Sequence, residues 1–228
     1  MKIGRRRLLS WHLWLGWLIG IPLVIWTVSG LVMVARPIEE VRGTDLRAEL
    51  APIRSGSFIA PAIPPAGLES LTLRQTPLGP RWIVVGADEK KVAADPRTGL
   101  PLPALTRVQA EAAALAYRKD PDEVASVRYT PSNRPPFDLR QPRPAWGVEF
   151  SDGSRFYIDA DTGELLAVRT DFWRFFDFMW GLHILDPQTR EDTHHPILVA
   201  FSVLAAIGAV LGCVLMGVRY WPKRRRSG

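Results

Sequence analysis

Leu8 to Ala35, LLSWHLWLGWLIGIPLVIWTVSGLVMVA, contains no charged side chain and follows directly on Arg5, Arg6 and Arg7. At roughly 1.5 Å per residue a helix of this length more than covers the roughly 30 Å hydrocarbon core of a bilayer. It is expected to be a retained anchor. A secretory apolar region is about 7 to 15 residues long and ends at a small-residue cleavage site. Here the nearest such site, Met33-Val34-Ala35, is poor. Arg5-Arg6-Arg7-Leu8-Leu9 matches a twin-arginine signal only loosely. Trp11, Trp14, Trp17 and Trp26 suit an interfacial or packed membrane helix.

A second run without charge, Pro196 to Val218, ends in Arg219 and a Lys-Arg cluster. The formal charge of +6 therefore has to be divided along the chain. Lys2, Arg5, Arg6, Arg7, Arg219, Lys223, Arg224, Arg225 and Arg226 lie in two tails that hold no acid. Removing these nine from the 29 basic residues leaves 20 against 23 acidic ones, a net of −3. Basic residues gather on the cytoplasmic side of membrane spans, so both termini are expected in the cytoplasm and residues 36–195 outside. No basic footprint remains for nucleic acid. The single cysteine, Cys213, sits in the second run, so one chain can build neither a disulfide nor a thiolate metal cluster.

In the first span His12, Gly16, Gly20, Leu23, Thr27 and Gly30 share one side of a helix. Gly16-x-x-x-Gly20 permits close approach of another backbone, and Ala205, Gly208 and Gly212 make a similar face on the second span. Gly16, Gly20, Gly208 and Gly212 are the expected packing positions. Pro22 removes one hydrogen bond from the ladder.

Between the spans, Arg54 to Gly67 is Pro-rich and expected to be irregular. Thr106 to Tyr117 fits an Ala-rich amphipathic helix with Thr106 as N-cap, ended by Asp120 and Pro121. The strongest signal is an internal repeat. RWIVVGADEKKVAADPRTGLPL from Arg81 aligns without gaps on AWGVEFSDGSRFYIDADTGELL from Ala145, matching Trp82, Asp95, Thr98 and Gly99 to Trp146, Asp159, Thr162 and Gly163. Each copy reads as strand, Gly/Asp turn, strand, and a second turn at Asp-x-x-Thr-Gly. Two copies make a duplication, since a stacked array needs about three or more. Arg128, Tyr129, Arg134 and Arg140, with five prolines from Pro131 to Pro144, form a long basic loop in the second copy. DFWRFFDFMWGLHIL, from Asp171, is too short to span a membrane and is interrupted by Arg174 and Asp177, which suits an interfacial segment.

The expected fold class is therefore a membrane-anchored α+β protein, with two transmembrane helices flanking an exported domain of two β-rich repeats and one main helix. Its parts are a cytoplasmic tail (1–10), span (11–35), exported domain (36–170, repeats about 68–103 and 106–169), interfacial segment and loop (171–195), span (196–218) and cytoplasmic tail (219–228).

HLWLG at His12 to Gly16, Ser29-Gly30, the Thr106 to Tyr117 helix followed by WGVEFSDGSRFYIDADTGEL, and Leu182-His183 before the last span resemble PepSY-domain proteins with PepSY-associated transmembrane helices. The resemblance covers nearly the whole chain and implies an exported module of one helix against antiparallel strands, in a bacterial inner membrane. Larger relatives, among them inner-membrane ferric-siderophore reductases, have about four spans and histidine-ligated haem.

The four histidines are the only plausible metal ligands of note, and haem b is the one cofactor the resemblance offers. His12 lies just inside Arg7, at the opposite side of the membrane from His183, His194 and His195. One haem iron cannot bridge most of a roughly 30 Å core, so ligation at His12 needs a second copy or another subunit. On the outer side His183 could pair with His194 or His195. The plainer alternative is that His12 meets headgroups or water and that His194 and His195 cap the second span. Asp159, Asp161 and Glu164 do not fit a calcium loop, which wants oxygen at Gly163 and glycine at Glu164. No hydrolase triad, phosphate loop or zinc-protease motif occurs.

The function expected is a membrane-held binding or assembly module. Two alternatives follow from the resemblance, a haem-b electron-transfer component of a ferric-siderophore-reductase-like system and a peptidase-restraining module. The partners expected are membrane lipid and either a second copy or another inner-membrane subunit.

Overall fold

The computed structural model describes residues 5–63 and 67–220. Lys2 and Lys223 to Arg226 of the tails, and Pro64 and Pro65 of the irregular connection, lie outside the described residues. In chain order the elements are α1 (Arg5–Val34), α2 (Ile38–Val41), β1 (Leu68–Thr76), β2 (Gly79–Gly86), β3 (Lys91–Ala94), α3 (Arg107–Tyr117), β4 (Val124–Thr130), β5 (Ala145–Phe150), β6 (Arg155–Asp159), β7 (Leu165–Arg169), α4 (Asp171–His183) and α5 (Pro196–Tyr220). They divide into two compact units, residues 1–36 with 175–228, and Pro37–Arg174, so the aromatic segment is shared between them.

In the first unit, Arg6–Val34 and Pro196–Gly217 are long and apolar enough to cross a membrane. Only 11% of the most apolar stretch of each is buried, which a core helix of a water-soluble protein would not tolerate. Helix α1 starts at Arg5, ahead of the expected 11, because no helix breaker separates Arg5 from Trp11.

Two of the four expected packing positions, Gly208 and Gly212, lie against α1. A Cβ on Gly208 would lie 3.0 Å from Ile19 Cδ1, and one on Gly212 would lie 3.1 Å from His12 Cε1. Gly16 and Gly20 have nothing within 4 Å of such a Cβ. The glycines of α5 are thus the holes, and Ile19 and His12, seven apart on α1, are the knobs. Large side chains of α1 fill the small face of α5, while Gly16 and Gly20, on the same side of α1 as His12, have nothing against them among the described residues.

The unit Pro37–Arg174 contains two antiparallel sheets, β1-β2-β3 and β4-β5-β6-β7. The offset of 64 residues seen in the sequence reappears in the hydrogen bonds that follow. Gly99 N and Gly163 N donate to Asp95 O (2.7 Å) and Asp159 O (2.9 Å). Arg97 N and Asp161 N donate to the carboxylates of Asp95 (2.7 Å) and Asp159 (3.0 Å). Gly99 and Gly163 have φ of +72° and +78°, a backbone region that residues with a Cβ enter only at a cost. Trp82 and Trp146 are both half-buried, and each indole N–H donates to a main-chain carbonyl, Ile59 O at 2.8 Å and Leu105 O at 3.0 Å. Ile59 N and Leu105 N in turn donate to Pro96 O and Ala160 O, which are again 64 apart.

The copies diverge where proline intervenes. After Leu105 the chain forms α3 before entering β4, whereas after Ile59 it passes Pro61 and reaches β1 by Leu68, too few residues for such a helix. The strand equivalent to β7 shrinks in the first copy to a single bridge, Ala94 to Pro101. Pro101 and Pro103 offer no N–H to a ladder, which stops that strand from extending.

Helix α3 is held at its start by a reciprocal cap: Gln109 N donates to Thr106 Oγ1 (3.3 Å), and Thr106 N donates to Gln109 Oε1 (3.0 Å). Such caps contribute about 0.5–2 kcal/mol. Its alanines Ala110, Ala113 and Ala114 are fully buried against Val148, Phe150, Phe156 and Ile158. Small residues on the helix let the sheet bring large ones. Tyr117 closes this core, its hydroxyl donating to Gly163 O at 3.2 Å. Burial pushes that phenol up to about 12.

Candidate functional site

Within the membrane-spanning unit, His183 is the histidine with a built environment. It is the last residue of α4, whose final turn is fixed by the connection that follows. Asp177, 4% exposed, pairs with Arg190 at 2.7 Å, and Trp180 Nε1 donates to Arg190 O at 3.0 Å. Gly181 is required there, since a Cβ would come within 2.7 Å of Arg190 Cγ and 3.1 Å of Asp186 O. Asp186 accepts N–H groups from Thr189, Glu191 and Asp192 as well as the Thr189 hydroxyl. Those bonds, led by the hydroxyl, hold its carboxyl well below the usual carboxylate range.

On the other side stands α1. The His183 ring stacks on Trp26 with centroids 4.9 Å apart and planes 18° from parallel. Its Cε1 lies 3.1 Å from where a Gly30 Cβ would be, so only glycine leaves room for the ring. His183 Nδ1 is 3.1 Å from Ser29 Oγ and 3.1 Å from Trp26 O. Ser29 is 1% exposed, and its hydroxyl donates to Trp26 O at 3.0 Å. A carbonyl oxygen can only accept, so the bond to Trp26 O places the ring proton on Nδ1. Nε2 is then the nitrogen with an available lone pair, the state in which a metal-ligating histidine is held by a carbonyl behind it.

The other histidines have different surroundings. His12 packs on Gly212, and its Nδ1 is buried without a hydrogen-bond partner among the described residues. His194 is exposed, with its ring 3.4 Å from the Thr193 hydroxyl. His195 is half-buried, and its Nδ1 likewise lacks a partner among the described residues. Among the described residues no group of three or more His, Cys, Asp or Glu is placed to hold a metal ion. His183 touches α1 at Ser29 and Gly30, whereas His12 is more than four helical turns away on the same helix, roughly 25 Å at 1.5 Å per residue. One chain therefore does not bring His12 and His183 to the same metal ion.

Sequence reasoning singled out Ser29-Gly30 and Leu182-His183 as separate motifs, and the structure brings them together. Trp26 as the stacking partner was missed. Its spacing of three and four from Ser29 and Gly30 marks it as a neighbour on the same helix surface, but nothing local in the sequence ties that surface to residue 183.

A family model described as PepSY-associated TM region matches residues 9–228. No curated protein and no solved structure matches the chain.

Proposed function

Since this membrane protein belongs to the PepSY-associated TM region family, we propose that it sits in the cytoplasmic membrane and carries residues 37–174 outside as a binding or assembly module. The supporting observation is the partition of charge. Both basic clusters flank charge-free helices, and the stretch between them is net negative. The module has a core of its own and a helix capped within it, as a domain held at a membrane by two spans requires. A reporter fused after Gly228 is expected to be active in the cytoplasm, and one inserted near Gly67 active outside. The reverse pattern would end the proposal.

Haem b ligation is a second function favoured by one observation, the Nδ1 contact that leaves His183 Nε2 available. Bound haem would supply one-electron transfer, and this chain's part would be to hold one axial nitrogen with its tautomer set by Trp26 O and Ser29. Protein purified from haem-supplied cells is then expected to show a Soret band that His183→Ala removes and His194→Ala leaves. A colourless wild-type protein under those conditions excludes it.

A further inference from the structure

One face of the sheet β4-β5-β6-β7 is covered by α3. On the other face a row of paired residues crosses three strands: Arg128 stands opposite Gly147, and Gly147 opposite Tyr157. Gly147 leaves a gap in the middle of this row. A Cβ there would lie 3.1 Å from Tyr157 Cε1 and 3.4 Å from Arg155 Cδ. The gap is the floor of a pocket of about 170 Å³, walled by Tyr157 and Arg155 and bordered by Ser126, Arg128 and Thr130 of β4.

The charges of this pocket are satisfied internally, with one exception. Arg155 pairs with Glu149 at 3.0 Å and with Asp138 at 3.3 Å. The Tyr157 hydroxyl donates to Asp138 at 2.7 Å, and Ser126 donates to Glu149 at 3.3 Å. Burial and then the bond to Asp138 push the Tyr157 phenol up to about 12, which keeps it a neutral donor. Arg128 is exposed and makes no ion pair or hydrogen bond among the described residues. It is the free cation at the mouth.

Strand β4 is also an edge. It pairs with β5 on one side and with no strand on the other among the described residues. An edge strand presents unpaired N–H and C=O groups to any extended chain. Ser126, Arg128 and Thr130 occupy alternate positions and so share one face. A strand laid along β4 would therefore bring every second side chain to the pocket.

We propose that the β4 edge and the Gly147 pocket bind an extended peptide segment by strand addition, with an acidic side chain of that segment set against Arg128. The proposal rests on residues 37–174 being a binding module and states what the module takes. A second copy of this chain is the poorer occupant. Strand β4, VASVRYT, holds no acidic residue, so self-pairing would set no negative side chain against Arg128 in any register.

The test uses the full chain in detergent and three fluorescein-labelled nonapeptides with Ser and Thr flanks that differ only in a central Glu, Gln or Lys. Fluorescence anisotropy should show the Glu peptide binding at least tenfold more tightly than the Lys peptide. Arg128→Ala should erase the preference for Glu over Gln, and Arg128→Glu should transfer it to Lys. Methylating alternate backbone nitrogens of the Glu peptide should cost at least tenfold in one of the two possible registers and little in the other, as main-chain pairing to one edge demands. Equal binding of all three peptides, no binding of any, or indifference to methylation in both registers would overturn the proposal. So would a disulfide between two copies carrying Ser126→Cys in a Cys213→Ser background, formed without peptide. The reporter fusions do not involve Arg128. If they give the expected pattern while no peptide binds, the site fails and the membrane-held module stands.

Discussion

Asp159→Ala is expected to destabilise the 37–174 unit by about 3–5 kcal/mol, the usual cost of removing one partner of a buried ion pair. Asp95→Ala, the same residue in the other copy, should cost only about 1 kcal/mol. Asp159 is fully buried; its Oδ1 accepts N–H groups of Asp161 (3.0 Å) and Thr162 (2.8 Å), and its Oδ2 meets Arg143 Nη2 at 2.5 Å. Removing it strands a guanidinium whose side chain is only 17% exposed, together with two main-chain donors. Asp95 is half-exposed and its carboxylate accepts one turn N–H, from Arg97 at 2.7 Å. Thermal unfolding of the two variants in detergent measures the difference. Equal losses would mean that Arg143 contributes nothing and that the turn alone sets the cost.

The second large effect is expected in the spans. Gly208→Leu or Gly212→Leu drives a side chain into Ile19 or His12, where even a Cβ would sit at 3.0 and 3.1 Å. Overpacking of this kind costs about 1–3 kcal/mol, and lipid supplies no hydrophobic force to hold displaced helices together. The thermal midpoint in detergent should fall by several degrees. Gly16→Leu and Gly20→Leu should leave that midpoint alone, because both positions are open within the chain. If this open face meets a second copy or another subunit, sedimentation will show the Gly16→Leu, Gly20→Leu double variant losing that association. A midpoint lowered equally by both sets of changes would mean that Gly16 and Gly20 are packed within the chain after all.

These two pairs of residues also show how far the sequence could be read. The duplication was legible because it rests on local chemistry: Asp-x-x-Thr-Gly makes its turn from its own main chain, and Gly99 and Gly163 are needed wherever that turn occurs. Thr106 was legible as a cap for the same reason. The missing helix of the first copy could have been foreseen from the short run between Ile59 and the strand at Leu68, had Ile59 been matched to Leu105. Alignment did not show that match, because its offset is 46 and not 64. Periodicity placed His12, Gly16 and Gly20 on one side of α1 but could not show which of them meets α5. Small residues marked both helices, but only one set of holes is filled. The union of Ser29 and His183 was illegible, since it joins positions 154 apart through a stack and a shared carbonyl.

That separation has a consequence for assembly in time. Ser29 acquires His183, and His12 and Ile19 acquire Gly212 and Gly208, only after the rest of the chain has been made. At about 5–20 residues per second, the 154 residues between Ser29 and His183 take roughly 8 to 30 seconds to synthesise. Throughout that interval α1 is in the bilayer with the surface destined for α4 and α5 uncovered. A neighbouring helix already present has first access to it. The fidelity of this chain's own pairing is therefore decided by who arrives first as well as by who fits best, and slowing translation across the 37–174 region would act on the membrane half of the protein without altering a single one of its residues.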